Sequence, residues 1–222
     1  MSDYDRKFEI KTLTPSVIQQ LNAMRQQNPS QRILIEIPNT KGISSDLLKT
    51  LDSRVSIRIA GAYDKERVSR LGNVQYKNGE TGQYYTDAVI YSRNEAVKIV
   101  SAMEKIEKDF EGQNFSQLEK LVHIYGKLKS GVMYDPKFET KPSSETRSLR
   151  GFITGQTVCA GYAVMLKEML DRQGIECHYV SGKTSREGGH AWNVVSLDRK
   201  KYHPIDLTWD NTRFRGRTIK NL

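Results

Sequence analysis

The chain is poor in cysteine, with two residues, Cys159 and Cys177, among 222. That count excludes the disulfide framework of a small secreted domain. No Cys-x-x-Cys or His-x-x-x-His spacing occurs, and His123, His178 and His203 are scattered over different predicted elements. No metal centre is therefore expected, and no oxygen-ligand loop points to calcium. Long apolar runs are missing too, and the opening residues Met1-Ser2-Asp3-Tyr4-Asp5-Arg6-Lys7 lack the apolar stretch of a secretion signal. A cytoplasmic location with no membrane attachment is the expectation. Glycines never form a fingerprint between a strand and a helix; Gly72 to Gly82 reads as a flexible loop, not a phosphate cradle, and no cofactor is expected.

Positive charge is abundant, with a formal net charge of +9. Part of it lies at the end of the chain, in Arg213, Arg215, Arg217 and Lys220, and such a cluster can grip phosphate or an acidic partner. No nucleic-acid module accompanies it, and the aromatic residues do not interleave with basic ones as in a stacking platform. A solvated basic tail is the expectation, with no specific nucleic-acid partner. The length allows one large domain, or one domain with an extension, and ample core.

What is present is a thiol, an imidazole and a carboxylate in three short segments. They are Gln156-Thr157-Val158-Cys159-Ala160-Gly161-Tyr162, Gly189-His190-Ala191-Trp192-Asn193 and Asp206-Leu207-Thr208-Trp209-Asp210. A thiol nucleophile needs a base to deprotonate it and a third group to aim that base. After Cys159, apolar residues recur at Ala163, Leu166 and Leu170 until Gly174 ends the pattern, so Cys159 opens a predicted helix. The unpaired amides of a first helical turn favour an anion by only about 0.3 to 1 kcal/mol. A free thiol titrates near 8.5, so full ionisation at neutral pH also needs a cation, and protonated histidine is the usual one.

Strand arithmetic places the histidine. Ile175, Cys177 and Tyr179 alternate with Glu176 and His178, and His190 to Ser196 and Tyr202 to Leu207 read as two further strands around Leu197-Asp198-Arg199-Lys200. A tight hairpin there pairs residues whose numbers sum to about 396 or 397; the first sum sets His190 opposite Asp206 on one face, and a slip of one residue sets it opposite Leu207 instead. A carboxylate in that position fixes the imidazole tautomer and stabilises its charged form. Asn193, three residues along, falls on the other face and is a poor substitute. Each residue alone has an ordinary role: a lone cysteine is a small buried apolar group, His190 a strand residue, Asp206 a turn or capping carboxylate. Their joint occurrence points to a catalytic set. Trp192 and Trp209 read as packing residues, and either is placed to wall a substrate slot. Cys177, mid-strand between apolar neighbours, reads as core.

The three segments resemble those of the transglutaminase-like superfamily, which carries a cysteine at a helix start, a His-Ala-Trp motif and an Asp-x-Thr-Trp-Asp motif. The resemblance covers roughly Ser116 to Asp210. It implies Cys159 as nucleophile, His190 as general base and acid, and Asp206 as the residue orienting the histidine. The chemistry implied is attack on a protein or peptide amide carbonyl, giving a thioester that passes to an amine or to water. A cysteine peptidase of the same mechanism, or a silent binding module that keeps the fold, are the alternatives. Oxyanion donors are needed, and the amide of Cys159 is one candidate. Gln156 is the other, since papain-like enzymes are similar in placing a glutamine upstream of the cysteine; here only three residues separate them, and a solvated loop amide is the competing reading.

Ahead of this region, Ile33 to Ile37 and Val55 to Ile59 read as short branched strands, with a weaker one at Tyr84 to Tyr91. Thr14-Pro15 begins a helix with Ile18 and Leu21, and Ser44 begins another. Two capping boxes follow. Ser92 to Glu95 precedes the stripe Ala96, Ile99, Met103, Ile106 and Phe110; Ser116 to Glu119 precedes Leu121, Val122, Tyr125 and Leu128, and both stripes read as core faces. The polar segment Lys137 to Arg150 is either a mobile loop near the thiol or a plain connection. The fold expected is α+β: a papain-like, transglutaminase-like core in residues 92–222, its cysteine helix packed on an antiparallel sheet, behind a small α/β extension in residues 1–91.

Overall fold

The computed structural model describes residues 4–59, 89–135, 137, 145–184 and 188–210. The loop at Gly72 to Gly82, residues 138–144 of the polar segment, and the basic cluster from Arg213 to Lys220 lie outside the described residues.

The first half builds a four-stranded sheet. Strands β1 (Arg6–Glu9), β2 (Ile33–Ile37) and β3 (Ser56–Ile59) are parallel neighbours, and β4 (Ile90–Ser92) closes the order antiparallel to β3. Helices α1 (Pro15–Gln27) and α2 (Ser45–Lys49) supply the crossovers, starting where Thr14 and Ser44 cap them: Thr14 Oγ1 accepts from the Val17 amide and Ser44 Oγ from the Leu47 amide. Both predicted capping boxes form, at the heads of α3 (Arg93–Glu107) and α4 (Gln117–Gly131).

On α3 the predicted stripe faces the core, with Ala96, Ile99 and Met103 fully buried. On α4 it needs correction. Leu121, Ile124 and Leu128 point inward, whereas Val122 is 62% exposed and Tyr125 half-buried. The buried ridge thus runs at spacings of three and four, and Val122 sits on its solvent flank.

The second half places helix α6 (Cys159–Arg172) against the antiparallel sheet β7 (Glu176–Thr184), β8 (Gly188–Ser196) and β9 (His203–Ile205). Two short elements, β5 (Met133–Tyr134) and β6 (Gln156–Thr157), pair parallel just before the helix, with the one-turn α5 (Gly151–Thr154) between them and the one-turn α7 (Leu207–Asp210) after β9. Cys177 is buried, and burial pushes its thiol up to about 12, so it is an inert core group as expected.

One apolar core spans both halves, from Ile35 and Ile57 of the first sheet through Met103 of α3 to Met165 and Met169 of α6. A polar knot crosses the same seam. The amide and hydroxyl of Thr40, in the loop after β2, donate to the fully buried carboxyl of Glu168 on α6. Arg172, one turn on, grips Glu107 through Nε and Nη2 at 2.8 and 2.6 Å and donates through Nη1 to the carbonyls of Thr40 and Ile43 at 2.7 and 3.0 Å. Burial raises the pKa of Glu168 despite the two bonds from Thr40.

Candidate active site

The approach to Cys159 is held from several sides. The Met133 amide donates to the Gly155 carbonyl at 2.9 Å and the Asp135 amide to that of Thr157 at 2.7 Å. The Thr157 hydroxyl and the Val158 amide both donate to the Thr146 carbonyl, at 2.7 and 3.1 Å. Gly161, two residues into the helix, lets this strand lie close: a Cβ there would fall 1.9 Å from Thr157 Oγ1 and 2.5 Å from the Thr146 carbonyl oxygen. The residue at the N-cap is Val158, whose side chain cannot accept a hydrogen bond. The first-turn amides of α6 therefore have no side-chain cap, and Cys159 stands at that positive end.

His190 is 5% exposed on β8, and its Nε2 donates to Asp206 Oδ2 at 2.6 Å. The thiol of Cys159 is within hydrogen-bonding reach of the same ring. Burial disfavours the charged imidazole, but the Asp206 carboxylate and the Cys159 sulfur outweigh it and push the histidine up to about 9.

The hairpin register that brings Asp206 to His190 differs from the predicted one. Asn193 pairs with Ile205, Val194 with Pro204 and Val195 with His203, so paired numbers sum to 398. The turn is wider than a tight hairpin: Arg199 adopts the left-handed conformation at φ 58, and Asp198 Oδ1 accepts from the amides of Lys200 and Lys201. A shift of two preserves the face, and the two side chains meet on the diagonal instead of directly across. Asp206 itself lies just past β9, where its Oδ1 accepts from the amides of Thr208 and Trp209 at 3.0 and 3.1 Å. One carboxylate thus caps α7 with one oxygen and holds the imidazole with the other.

Both tryptophans flank that ring. Trp209 stacks on His190 with centroids 4.9 Å apart and planes 13° apart, and Trp192 stacks at 5.9 Å and 21°. The packing role and the wall role coincide: Trp192 lies over Gly182, while Trp209 is 44% exposed, and both line a groove of about 660 Å³ that also reaches His190 and Asp206. Gln156 is exposed on β6 and is not a lining residue of that groove. Asn193 lies on the opposite face, buried, donating to the Ala163 carbonyl at 2.9 Å and fixing β8 on α6.

Two residues gain a place at the site that the sequence did not give them. Tyr125 of α4 donates its hydroxyl to Asp210 Oδ2, tying α4 to α7. Burial, with Asp210 beside it, pushes the phenol up, so it stays a proton donor. The last aspartate of the Asp-x-Thr-Trp-Asp segment was the available signal for Asp210; Tyr125 had only its place on the helical stripe. Among the described residues no group of three His, Cys, Asp or Glu side chains is arranged to hold a metal ion, and no helix is long and apolar enough to cross a membrane.

The family model of the transglutaminase-like superfamily matches residues 104–207, a span that contains Cys159, His190 and Asp206. Over that span, somewhat under half of the chain, it is similar to the transglutaminase-like superfamily. Its α+β architecture, with a cysteine-bearing helix on an antiparallel sheet, is the transglutaminase-like core. Among solved structures, the chain is similar to a TGase, at 14% identity over 76% of this chain and 53% of the other, with a TM-score of 0.44. It is also similar to the periplasmic domain of TgpA from Pseudomonas aeruginosa bound to ethylmercury, at 16% identity over 56% of this chain and 52% of the other, TM-score 0.39. A second crystal structure of that domain matches at 14% identity over 58% and 51%, TM-score 0.41. The chain therefore spans about half the length of the structures it matches. No curated protein matches it.

Proposed function

We propose that the chain is a thiol acyl-transfer enzyme acting on protein or peptide amides, with Cys159 as nucleophile, His190 as base and acid, and Asp206 as the residue that orients the imidazole. The observation that carries this reading is the 2.6 Å hydrogen bond from His190 to Asp206 on a ring that also meets the Cys159 thiol at an uncapped helix start. With Nε2 engaged by Asp206, Nδ1 is left to take the thiol proton. The sulfur attacks the amide carbonyl, and the charge developing on oxygen is met by first-turn amides, that of Cys159 first among them. Gln156 is the proposed second donor. Such a donor contributes about 2.7 to 4 kcal/mol to the transition state. His190 then returns its proton to the departing nitrogen, leaving a thioester for an amine or water to open.

Labelling with iodoacetamide near pH 6 tests the nucleophile. Alkylation confined to Cys159, faster than a free thiol and slowed by His190→Ala, is expected; labelling at the free-thiol rate would refute the catalytic reading and leave a binding module. Incubation with a glutamine peptide and a tagged amine then separates the outcomes: amine incorporation marks transfer, deamidation marks hydrolysis of the side chain, and backbone cleavage marks a peptidase.

A further inference from the structure

The carbonyl of Thr146 holds the approach to Cys159, yet it belongs to a single 3-10 turn, Glu145–Arg147, which is too short to fix itself. The residues that follow are tied to the first half of the chain. The Leu149 amide donates to the Tyr91 hydroxyl of β4 at 3.2 Å. Arg150 donates through Nε to Glu95 Oε1 at 2.8 Å and through Nη2 to the Ile90 carbonyl at 3.2 Å, with its guanidinium 5.3 Å from the centroid of the Tyr91 ring. Gly151, next in the chain, lies against the approach strand itself: a Cβ there would fall 3.3 Å from Thr157 Cβ.

Glu95 is held from its other side as well. Its Oε2 accepts from the amide and the hydroxyl of Ser92, both at 2.9 Å, closing the capping box of α3 while Oε1 takes Arg150. Burial raises the Glu95 carboxyl, but Arg150 and Ser92 outweigh it and lower it to about 2, so the pair stays charged through neutral and mildly acid pH. A lone surface ion pair adds little to stability. This one joins the head of α3 to the turn that steadies Cys159, and there geometry matters more than energy. Misplacing a reacting atom by about 1 Å can cost about 10²-fold in rate.

We propose that Arg150, seated on Glu95, Tyr91 and the Ile90 carbonyl, is a positioning residue for the nucleophile: it holds the Thr146 turn so that the start of α6 sets the Cys159 sulfur against His190. The N-terminal half is thereby part of the catalytic apparatus and not an appendage to it. The inference rests on the acyl-transfer reading above. Arg150 acts through the backbone and makes no bond to substrate. When the turn slackens, the thiol drifts from the imidazolium that favours its anion, and its titration returns toward the free value of about 8.5.

The test is iodoacetamide alkylation of the full chain from about pH 5 to 10, with the two cysteines read separately by mass spectrometry. Cys177 is buried and stays unlabelled while the chain is folded, so it monitors unfolding in the same sample. Three variants loosen the anchor at different points. Arg150→Met keeps the stem and removes the donors, Glu95→Gln keeps the α3 cap and removes the charge, and Tyr91→Phe keeps the ring and removes the acceptor for Leu149. Each should slow Cys159 by about tenfold or more near pH 6 and much less near pH 9.5, where a free thiol is already ionised, with Cys177 silent. Arg150→Lys retains a cation for Glu95 and should recover part of the rate. An unchanged Cys159 profile in the variants that stay folded, a slowing at pH 6 matched in full at pH 9.5, or one that always comes with labelling of Cys177 would overturn the inference. A parent chain that labels no faster than a free thiol would instead sink the acyl-transfer reading, and this inference with it.

Discussion

At the scale of single residues, the site depends on one buried imidazole held well above its ordinary value. His190 titrates near 9 in the folded chain and near 6.5 when unfolded. A group whose pKa rises on folding stabilises the fold while it is protonated, fully below the unfolded value, and that contribution fades as pH climbs through the folded value. Asp206→Asn keeps a side-chain oxygen for the α7 cap but removes the charge that supports the imidazolium. We expect the variant to be less stable than the parent near pH 6 and the gap to narrow between about pH 6.5 and 9. Urea unfolding at pH 6 and pH 10 measures it, and a gap that does not narrow with pH would show that Asp206 acts as a cap alone. Nothing in a strand pattern signals that the carboxylate has two tasks. The sequence announced that His190 and Asp206 share a face, because side-chain alternation survives a shift of two; the register itself depended on Arg199 taking a left-handed turn, which no neighbouring glycine or asparagine advertised.

At the scale of elements, the helices were legible where local chemistry fixes them. Thr14, Ser44, Ser92 and Ser116 all cap as their sequence contexts require. The face that α4 buries was not, because which flank of an amphipathic helix meets the core is decided by the neighbours it packs on, and Val122 is as apolar as Leu121. Gly161 shows the other kind of hidden constraint. Its neighbour is Thr157 from the preceding strand, and Gly161→Ala should cost about 1 to 3 kcal/mol by overpacking, since the Thr146 carbonyl cannot move without loosening the approach to Cys159. Thermal denaturation would register the loss, and iodoacetamide labelling of the variant should show Cys159 less selectively reactive. The one-turn α7 is short enough to need outside support. Tyr125→Phe removes its tie to Asp210, and we expect lower acyl-transfer turnover with a smaller change in the stability of the whole chain, read by steady-state kinetics beside urea unfolding.

At the scale of the whole molecule, the extension and the core share one apolar interior and the Thr40, Glu107, Glu168 and Arg172 knot. A boundary between residues 91 and 92 would divide the sequence by pattern but leave these contacts across it. Arg172→Ala strands Glu107 and two backbone carbonyls, and a loss of about 3 kcal/mol is expected. Calorimetry should show a single transition for parent and variant alike; two resolved transitions would mean that the halves fold independently. No sequence motif forecast this seam, since Thr40 and Glu168 stand far apart along the chain and each, taken alone, looks like a surface residue.

The forked carboxylate of Asp206 bears on how a chain with the proposed chemistry could lose it over time. Deleting the sulfur at position 159 should leave the described strand pairings and helix starts in place, whereas deleting the acid should unseat a helix terminus together with an aromatic wall. Descendants that abandon catalysis while keeping the shape should therefore drop the thiol first and retain the aspartate, and a silent relative should be recognisable by that asymmetry.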